Sequence, residues 1–213
     1  MFTGIVEGKF PLNRIERRSG LHTLNVDLPA SLMEGLERGS SVAMDGVCLT
    51  VAGIDGCTVS FDVMAETLSL TTLGDLEEGG SVNIERSARA GDEIGGHPIS
   101  GHVDTRARIL RVDTPENNHV IRFAVESRWM RYIFSKGFLS VNGCSLTVVN
   151  ADREAGEFEI WLIPETLKLT TFGEKSPGDE VNIEVDRQTQ VIVDTVTDLL
   201  RQPGFLKDLG VAG

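Results

Sequence analysis

The chain has 213 residues, with 20 Lys and Arg against 32 Asp and Glu, a formal net charge of −12. That balance argues against a nucleic-acid protein and against docking on an anionic membrane, both of which draw affinity from basic side chains. An apolar content of 40% with 24% charge describes a globular chain, long enough for one large domain or two of about 100 residues. In chain order, Met1-Phe2-Thr3-Gly4-Ile5-Val6-Glu7 lacks the basic and apolar stretches of a secretory signal. Leu32, Met33 and Leu36 have the spacing of a short helix. Val42-Ala43-Met44, Asp45-Gly46 and Val47 to Val51 read as strand, type I′ turn, strand. Val59 to Val63 is a further strand, rich in β-branched residues. A linker follows near Arg89–Pro98 and contains Gly95-Gly96-His97. A second short helix is expected at Trp129, Met130 and Ile133, a second hairpin at Asn142-Gly143, and a strand from Phe158 to Leu162. From Gln190 to Arg201, Ile192, Val193, Val196, Leu199 and Leu200 share one helical face. No run is long and apolar enough to span a bilayer, and Cys48, Cys57 and Cys144 form no CxxC pair, so reduced thiols in a cytoplasmic protein are expected.

The chain repeats itself. Asp45-Gly46-Val47-Cys48-Leu49-Thr50-Val51 matches Asn142-Gly143-Cys144-Ser145-Leu146-Thr147-Val148 at an offset of 97. Glu66-Thr67-Leu68-Ser69-Leu70-Thr71-Thr72 matches Glu165-Thr166-Leu167-Lys168-Leu169-Thr170-Thr171 at an offset of 99, and 12 of the 20 positions from Glu66 to Glu85 are identical to their counterparts. The two extra residues fit one hairpin loop, tight at Ile54-Asp55-Gly56-Cys57 and longer at residues 152–156. Two copies of a module of about 90 residues mean a duplicated domain rather than a solenoid. About six short strands per copy suggest two small Greek-key barrels in an all-β chain with an appended C-terminal helix.

No phosphate loop, nucleophile elbow or metal-protease motif occurs, and His97 and His102 lack partners at metal-ligand spacing, so no metal is expected. Both copies instead place the same polar residues among apolar strands: Thr50 with Thr147, Thr67 with Thr166, Glu66 with Glu165. Each is a structural hydrogen bond or part of a ligand site present once per barrel. The copies differ where Ile5 becomes His102, Cys48 becomes Ser145 and Gly39 becomes Lys136, which suits a reaction between two similar molecules held in similar sites. Taken singly, Cys48 reads as a small core residue, Lys136 as a solvated charge, and Glu85 and Asp186 as surface residues at strand ends.

The opening Met1 to Glu7, the Asp45-to-Val51 hairpin, the Gly95-Gly96-His97 and Ser100-Gly101-His102-Val103-Asp104 segments, and the two Glu-Thr-Leu segments together resemble riboflavin synthase over nearly the whole chain. The resemblance implies two six-stranded barrels, residues 1–88 and 97–187, with residues 188–213 as a C-terminal helix and tail that helps assemble a homotrimer. It implies a cofactor-independent dismutation of two 6,7-dimethyl-8-ribityllumazine molecules, by transfer of a four-carbon unit, to riboflavin and a ribitylamino-pyrimidinedione. The reaction site would lie between the first barrel of one subunit and the second barrel of a neighbour. Carried over by motif, the first barrel's ligand positions are Gly4, Ile5, Val6, Ser41, Cys48, Leu49, Thr50, Asp62, Val63, Met64, Ala65, Glu66 and Thr67. The second barrel's are Gly101, His102, Val103, Lys136, Ser145, Leu146, Thr147, Trp161, Leu162, Ile163, Pro164, Glu165 and Thr166. Cys48, His102, Ser145, Thr147 and Asp186 are the implied reactive set, an imidazole being a side chain able to transfer a proton near neutral pH. The family pattern has Asn-Gly in the first hairpin and Asp-Gly in the second; Asp45 and Asn142 exchange them. A chromophore carrier that binds lumazine or flavin without turnover is the alternative within the same family, and a flavin-dependent electron-transfer domain lies outside it.

Overall fold

A computed structural model describes residues 1–116 and 118–202. Strands β1 (Gly8–Arg18), β2 (Leu21–Asp27), β3 (Ser41–Met44), β4 (Val47–Asp55), β5 (Thr58–Met64) and β6 (Ser81–Arg86) close an antiparallel barrel in the order β1-β2-β5-β4-β3-β6. Strands β7 (Thr105–Asp113), β8 (His119–Ala124), β9 (Phe138–Val141), β10 (Cys144–Asp152), β11 (Glu157–Leu162) and β12 (Glu180–Val185) close a second barrel in the equivalent order. Period-two patterning builds them: along β5, Val59, Phe61 and Val63 are buried while Ser60 and Asp62 face outward. Each fully buried Phe, such as Phe61, Phe123 and Phe158, contributes roughly 2–3 kcal/mol by leaving water.

Asp45 and Asn142 both sit at φ 45°, each followed by a glycine at φ 80°, the two positive dihedrals a type I′ turn requires. The inserted pair lies where the offsets place it: β4 and β5 are separated by two residues, β10 and β11 by four.

The barrels meet tip to tip at these hairpins. A Cβ on Gly46 would lie 2.6 Å from the Gly143 nitrogen, so glycine is required at the contact. Asn83 on β6 accepts from Thr171 N at 2.8 Å and donates to Asn142 O at 2.9 Å. Asn182 on β12 mirrors it, accepting from Thr72 N at 2.8 Å and donating to Asp45 O at 2.9 Å. The chain entering each barrel also crosses the seam. Phe2 and Ile99 exchange backbone hydrogen bonds of 2.8 and 2.9 Å, Val6 packs in the second core, and Val103 packs against the first.

Three sequence expectations need correction. The short helix near Leu32 is a single turn, α1 (Ala30–Met33), and its counterpart is only a 3₁₀ turn, Met130–Tyr132. Three apolar residues supply one turn of helix but not the run that offsets nucleation. The Glu-Thr-Leu segments are not strands but short helices, α2 (Ala65–Leu70) and α3 (Pro164–Leu169), with Glu66 and Glu165 exposed in their first turns. The C-terminal helix α4 (Arg187–Arg201) begins three residues early because Asp186 caps it, accepting from Gln188 N and Thr189 N. It docks by Tyr132 Oη donating to Asp194 at 2.7 Å and Arg131 donating to Thr197 at 2.7 Å, and leaves Val191, Ile192, Val196 and Leu200 exposed. The expected tail, residues 203–213, lies outside the described residues.

Candidate functional site

Each barrel has a seam that opens at one end. The β4–β5 ladder runs from Asp55↔Thr58 to Val51↔Phe61 and stops there. The β10–β11 ladder runs from Asp152↔Glu157 to Val148↔Ile160 and stops likewise. Beyond these pairs the strands part, and the chain continues into α2 or α3. Past the last pair of the first barrel lie Cys48, Leu49 and Thr50 on β4 and Asp62, Val63 and Met64 on β5, with Ala65, Glu66 and Thr67 following in α2 and Ser41 of β3 paired to Thr50. Past the last pair of the second lie Ser145, Leu146 and Thr147 on β10 and Trp161 and Leu162 on β11, with Ile163 leading into α3 and Pro164, Glu165 and Thr166 following in it. Met64, Trp161 and Ile163 are 69%, 50% and 65% exposed, a degree of apolar exposure suited to a planar ring or another chain. Leu49, Val63, Leu146 and Leu162 point into the cores, so at these positions only the backbone faces the opening.

The glycine segments close the grooves in the reverse of the expected combination. Cys48 N donates to Gly101 O at 2.8 Å, and a Cβ on Gly101 would lie 2.5 Å from Cys48 Cβ. Gly101, His102 and Val103 therefore border the first groove. Ser145 N donates to Gly4 O at 2.8 Å, and a Cβ on Gly4 would lie 2.5 Å from Ser145 Cβ, so Gly4, Ile5 and Val6 border the second. Both crossing segments are needed to cover the barrel seam, a fact of tertiary pairing that a linear offset does not carry. The exposed His102 thus joins the side of Cys48, while Ile5, 50% exposed, joins the side of Ser145.

Buried carboxylates hold both segments. Glu85 accepts from Thr3 N at 2.6 Å, Thr3 Oγ1 at 2.8 Å and Gly4 N at 3.1 Å. Glu184 accepts from Ser100 N at 2.8 Å, Ser100 Oγ at 2.7 Å and Gly101 N at 2.9 Å. Glu85, read from sequence as a surface residue, is 5% exposed. Burial outweighs these hydrogen bonds and pushes its carboxyl up to about 7.

Lys136 stands at φ +66°, where its counterpart Gly39 has φ +92°, and its N–H donates to Val148 O at 2.7 Å beside Thr147. A lysine in the left-handed region costs of order 1 kcal/mol relative to glycine. Asp186 caps α4. Burial pushes its carboxyl up, but hydrogen bonds from Thr189 and Gln188 and the nearby His97 together hold it below the usual range. Sequence reasoning omitted His97 from the site. Its Nδ1 lies 2.6 Å from Ser145 Oγ, its ring stacks on Phe138, and burial lowers its pKa, with Asp186 acting in the opposite direction. Only the neighbouring glycines marked it, since its partner is 48 residues away. Cys144 is a core thiol pushed up to about 12 by burial, with Glu85 adding to the shift.

The Asp45/Asn142 exchange leaves the hairpin's own bond intact: Asp45 Oδ1 accepts from Asn83 N at 2.9 Å, and Asn142 Oδ1 accepts from Asn182 N at 2.7 Å. The cost falls on burial, which pushes Asp45 up to about 6 and leaves Asn142 Nδ2 without a partner among the described residues. A polar cleft of about 510 Å³, lined by Glu7, Glu34, Arg86 and Arg89, meets the candidate positions only at Ile5. Among the described residues no helix is long and apolar enough to cross a membrane, and no group of three His, Cys, Asp or Glu is placed to hold a metal.

Comparison with known proteins adds three findings. The family described as "Lumazine binding domain" matches residues 3–87 and again 100–186. The chain is 50% identical over 201 residues to the riboflavin synthase of Escherichia coli (strain K12), covering 94% of this chain and 93% of that one. It is 40% identical over 204 residues to the riboflavin synthase of Chlamydia pneumoniae, covering 96% and 99%. Among solved structures, LumP complexed with riboflavin superposes with a TM-score of 0.81 at 24% identity, covering 88% of this chain and all of that one. LumP complexed with 6,7-dimethyl-8-(1'-D-ribityl) lumazine gives 0.79 at the same identity and coverage, a likeness of fold.

Proposed function

The chain belongs to the riboflavin synthase family of transferases, and from that premise we propose how its two grooves divide the work. Two molecules of 6,7-dimethyl-8-ribityllumazine are consumed; a four-carbon unit passes from one to the other, giving riboflavin and 5-amino-6-(ribitylamino)pyrimidinedione. Each groove holds one pteridine. Main-chain groups of β4 and β10 read the pyrimidine edge, and Thr50, Thr67, Thr147 and Thr166 with Glu66 and Glu165 hold the ribityl hydroxyls. The observation that carries this reading is the pair of equivalent openings furnished with unlike groups, Cys48 and His102 in one, Ser145 and His97 in the other.

The chemistry begins at the acidic C7 methyl of one lumazine. His102, exposed at the mouth of the first groove, takes that proton, and Cys48 or Ser145 polarises or adds to the partner ring. Thr147 and Lys136 complete the polar wall of the second groove, and Asp186 contributes its charge from behind His97. Holding two rings in contact and antiparallel supplies much of the acceleration. Such contact needs two grooves face to face. The exposed face of α4 and the apolar rims at Met64, Trp161 and Ile163 fit a homotrimer in which the first barrel of one subunit meets the second barrel of the next.

The test is a cofactor-free assay in which purified protein receives 6,7-dimethyl-8-ribityllumazine alone. Riboflavin should appear catalytically, one per two lumazines consumed. Tight binding without turnover would overturn catalysis in favour of chromophore carriage.

A further inference from the structure

The second groove contains a hydrogen-bonded pair that the first lacks. His97 is 5% exposed, with Nδ1 2.6 Å from Ser145 Oγ. Its ring is stacked on Phe138 with centroids 5.3 Å apart and planes 17° from parallel, which blocks rotation. The backbone around it is clamped. A Cβ on Gly96 would collide with Thr3 O and come within 2.7 Å of Ser145 Cβ, so the His97 loop passes directly between the N-terminal segment and β10. Ser145 is tied from its other side, its N–H donating to Gly4 O. Cys48 has the equivalent backbone bond to Gly101, yet no side-chain hydrogen bond among the described residues.

Resting on the riboflavin synthase reading, we propose that His97 is a positioning residue that fixes the Ser145 hydroxyl. Neutral Nδ1 accepts the Oγ–H, leaving the oxygen lone pairs turned to the groove. Burial disfavours the imidazolium, so one ring nitrogen carries a free lone pair. The charge of Asp186 acts on the ring against the effect of burial. A hydroxyl whose proton is engaged from behind is an acceptor and a better nucleophile toward the ligand. The second groove therefore favours a pteridine edge that presents an N–H or an electron-poor ring carbon. The first groove, whose Cys48 has no such support, imposes no such demand, and this difference assigns unlike roles to two chemically identical substrates.

The experiment compares His97→Ala, Ser145→Ala, the double variant and His97→Asn, whose side-chain oxygen can accept near the position of Nδ1. Lumazine binding is followed by fluorescence titration, turnover by riboflavin formation, and the ring by 15N NMR of histidine-labelled full-length protein. His97→Ala is expected to lower kcat roughly 10- to 100-fold while lumazine affinity stays within about threefold. Ser145→Ala should do the same, the double variant should be no worse than the poorer single, and His97→Asn should recover part of the rate. Added imidazole should restore His97→Ala but not the double variant. The NMR should show an unprotonated Nδ1 whose resonance moves on Ser145→Ala. Multiplicative losses in the double variant, imidazole rescue without Ser145, or a protonated Nδ1 would each overturn the proposal. If the native protein binds lumazine but makes no riboflavin, the enzyme reading fails, while the NMR arm still decides whether the pair exists as described.

Discussion

Replacing Asn83 by Ala should uncouple the two barrels. The Asn83 amide satisfies two groups across the seam, Thr171 N at 2.8 Å and Asn142 O at 2.9 Å. Thr171 is 2% exposed and Asn142 1%, so neither gains water when the amide is removed. A buried polar group left without a partner costs about 1–3 kcal/mol, so the pair sums to about 2–6 kcal/mol. Asn182→Ala removes the mirrored pair at Thr72 N and Asp45 O and should cost a similar amount. Urea denaturation reads the effect: at a slope of about 2 kcal/mol per molar, each variant should lower the midpoint by 1 M or more. The double variant should split one transition into two as the barrels unfold separately. Thr58→Ala, which removes an exposed bond to Asp27, is the control and should shift stability by under about 0.5 kcal/mol. A loss below that control for Asn83→Ala, with a single sharp transition in the double variant, would refute the view that these amides join the halves.

Glu85 supplies a pH test. Its carboxyl is raised from 4.5 to about 7, so the protonated form favours the fold. Its stabilisation is complete below pH 4.5 and is lost as the pH rises through 7, with an upper bound of about 3 kcal/mol. Glu85→Gln should flatten stability between pH 5 and 8 in chemical denaturation, and an unchanged slope would count against burial as the cause. Gly101→Ala forces a side chain into φ +82° and within 2.5 Å of Cys48 Cβ, and should cut riboflavin formation at least about tenfold by displacing His102; full activity would mean the segment can shift freely. Iodoacetamide at pH 8 should modify the exposed Cys57 first and leave Cys144, pushed up to about 12, untouched until the protein unfolds. Mass spectrometry would decide it.

Features written in local patterns were legible before the fold. The duplication, both type I′ hairpins and the two-residue insertion between β10 and β11 follow from turn chemistry and spacing, which act over a few residues. Helices α2 and α3 were not legible because they run six residues each and start without a side-chain cap, at Met64 and Ile163. The resemblance groups Gly4–Val6 with Cys48 and Gly101–Val103 with Ser145, whereas the fold sets Gly101 beside Cys48 and Gly4 beside Ser145. Which barrel a segment covers is settled by bonds such as Cys48 N to Gly101 O, made between residues distant in sequence. His97 escaped for the same reason: nothing near position 97 signals a hydroxyl at 145.

The glycine-to-glycine contact at the tips has a consequence for how such a protein can change. Two separate copies of one module, joined at Gly46 and Gly143, would be bound to carry every substitution twice, once at each end. Fusing them into one polypeptide lifts that rule while leaving the meeting point as it was. Both tips are glycine and neither has room for a methyl group, whereas two residues on the copies differ, Cys48 in one and Ser145 in the other. Halves that need not match can still fit together, and residues away from the tips can vary in one half without loosening its hold on the other.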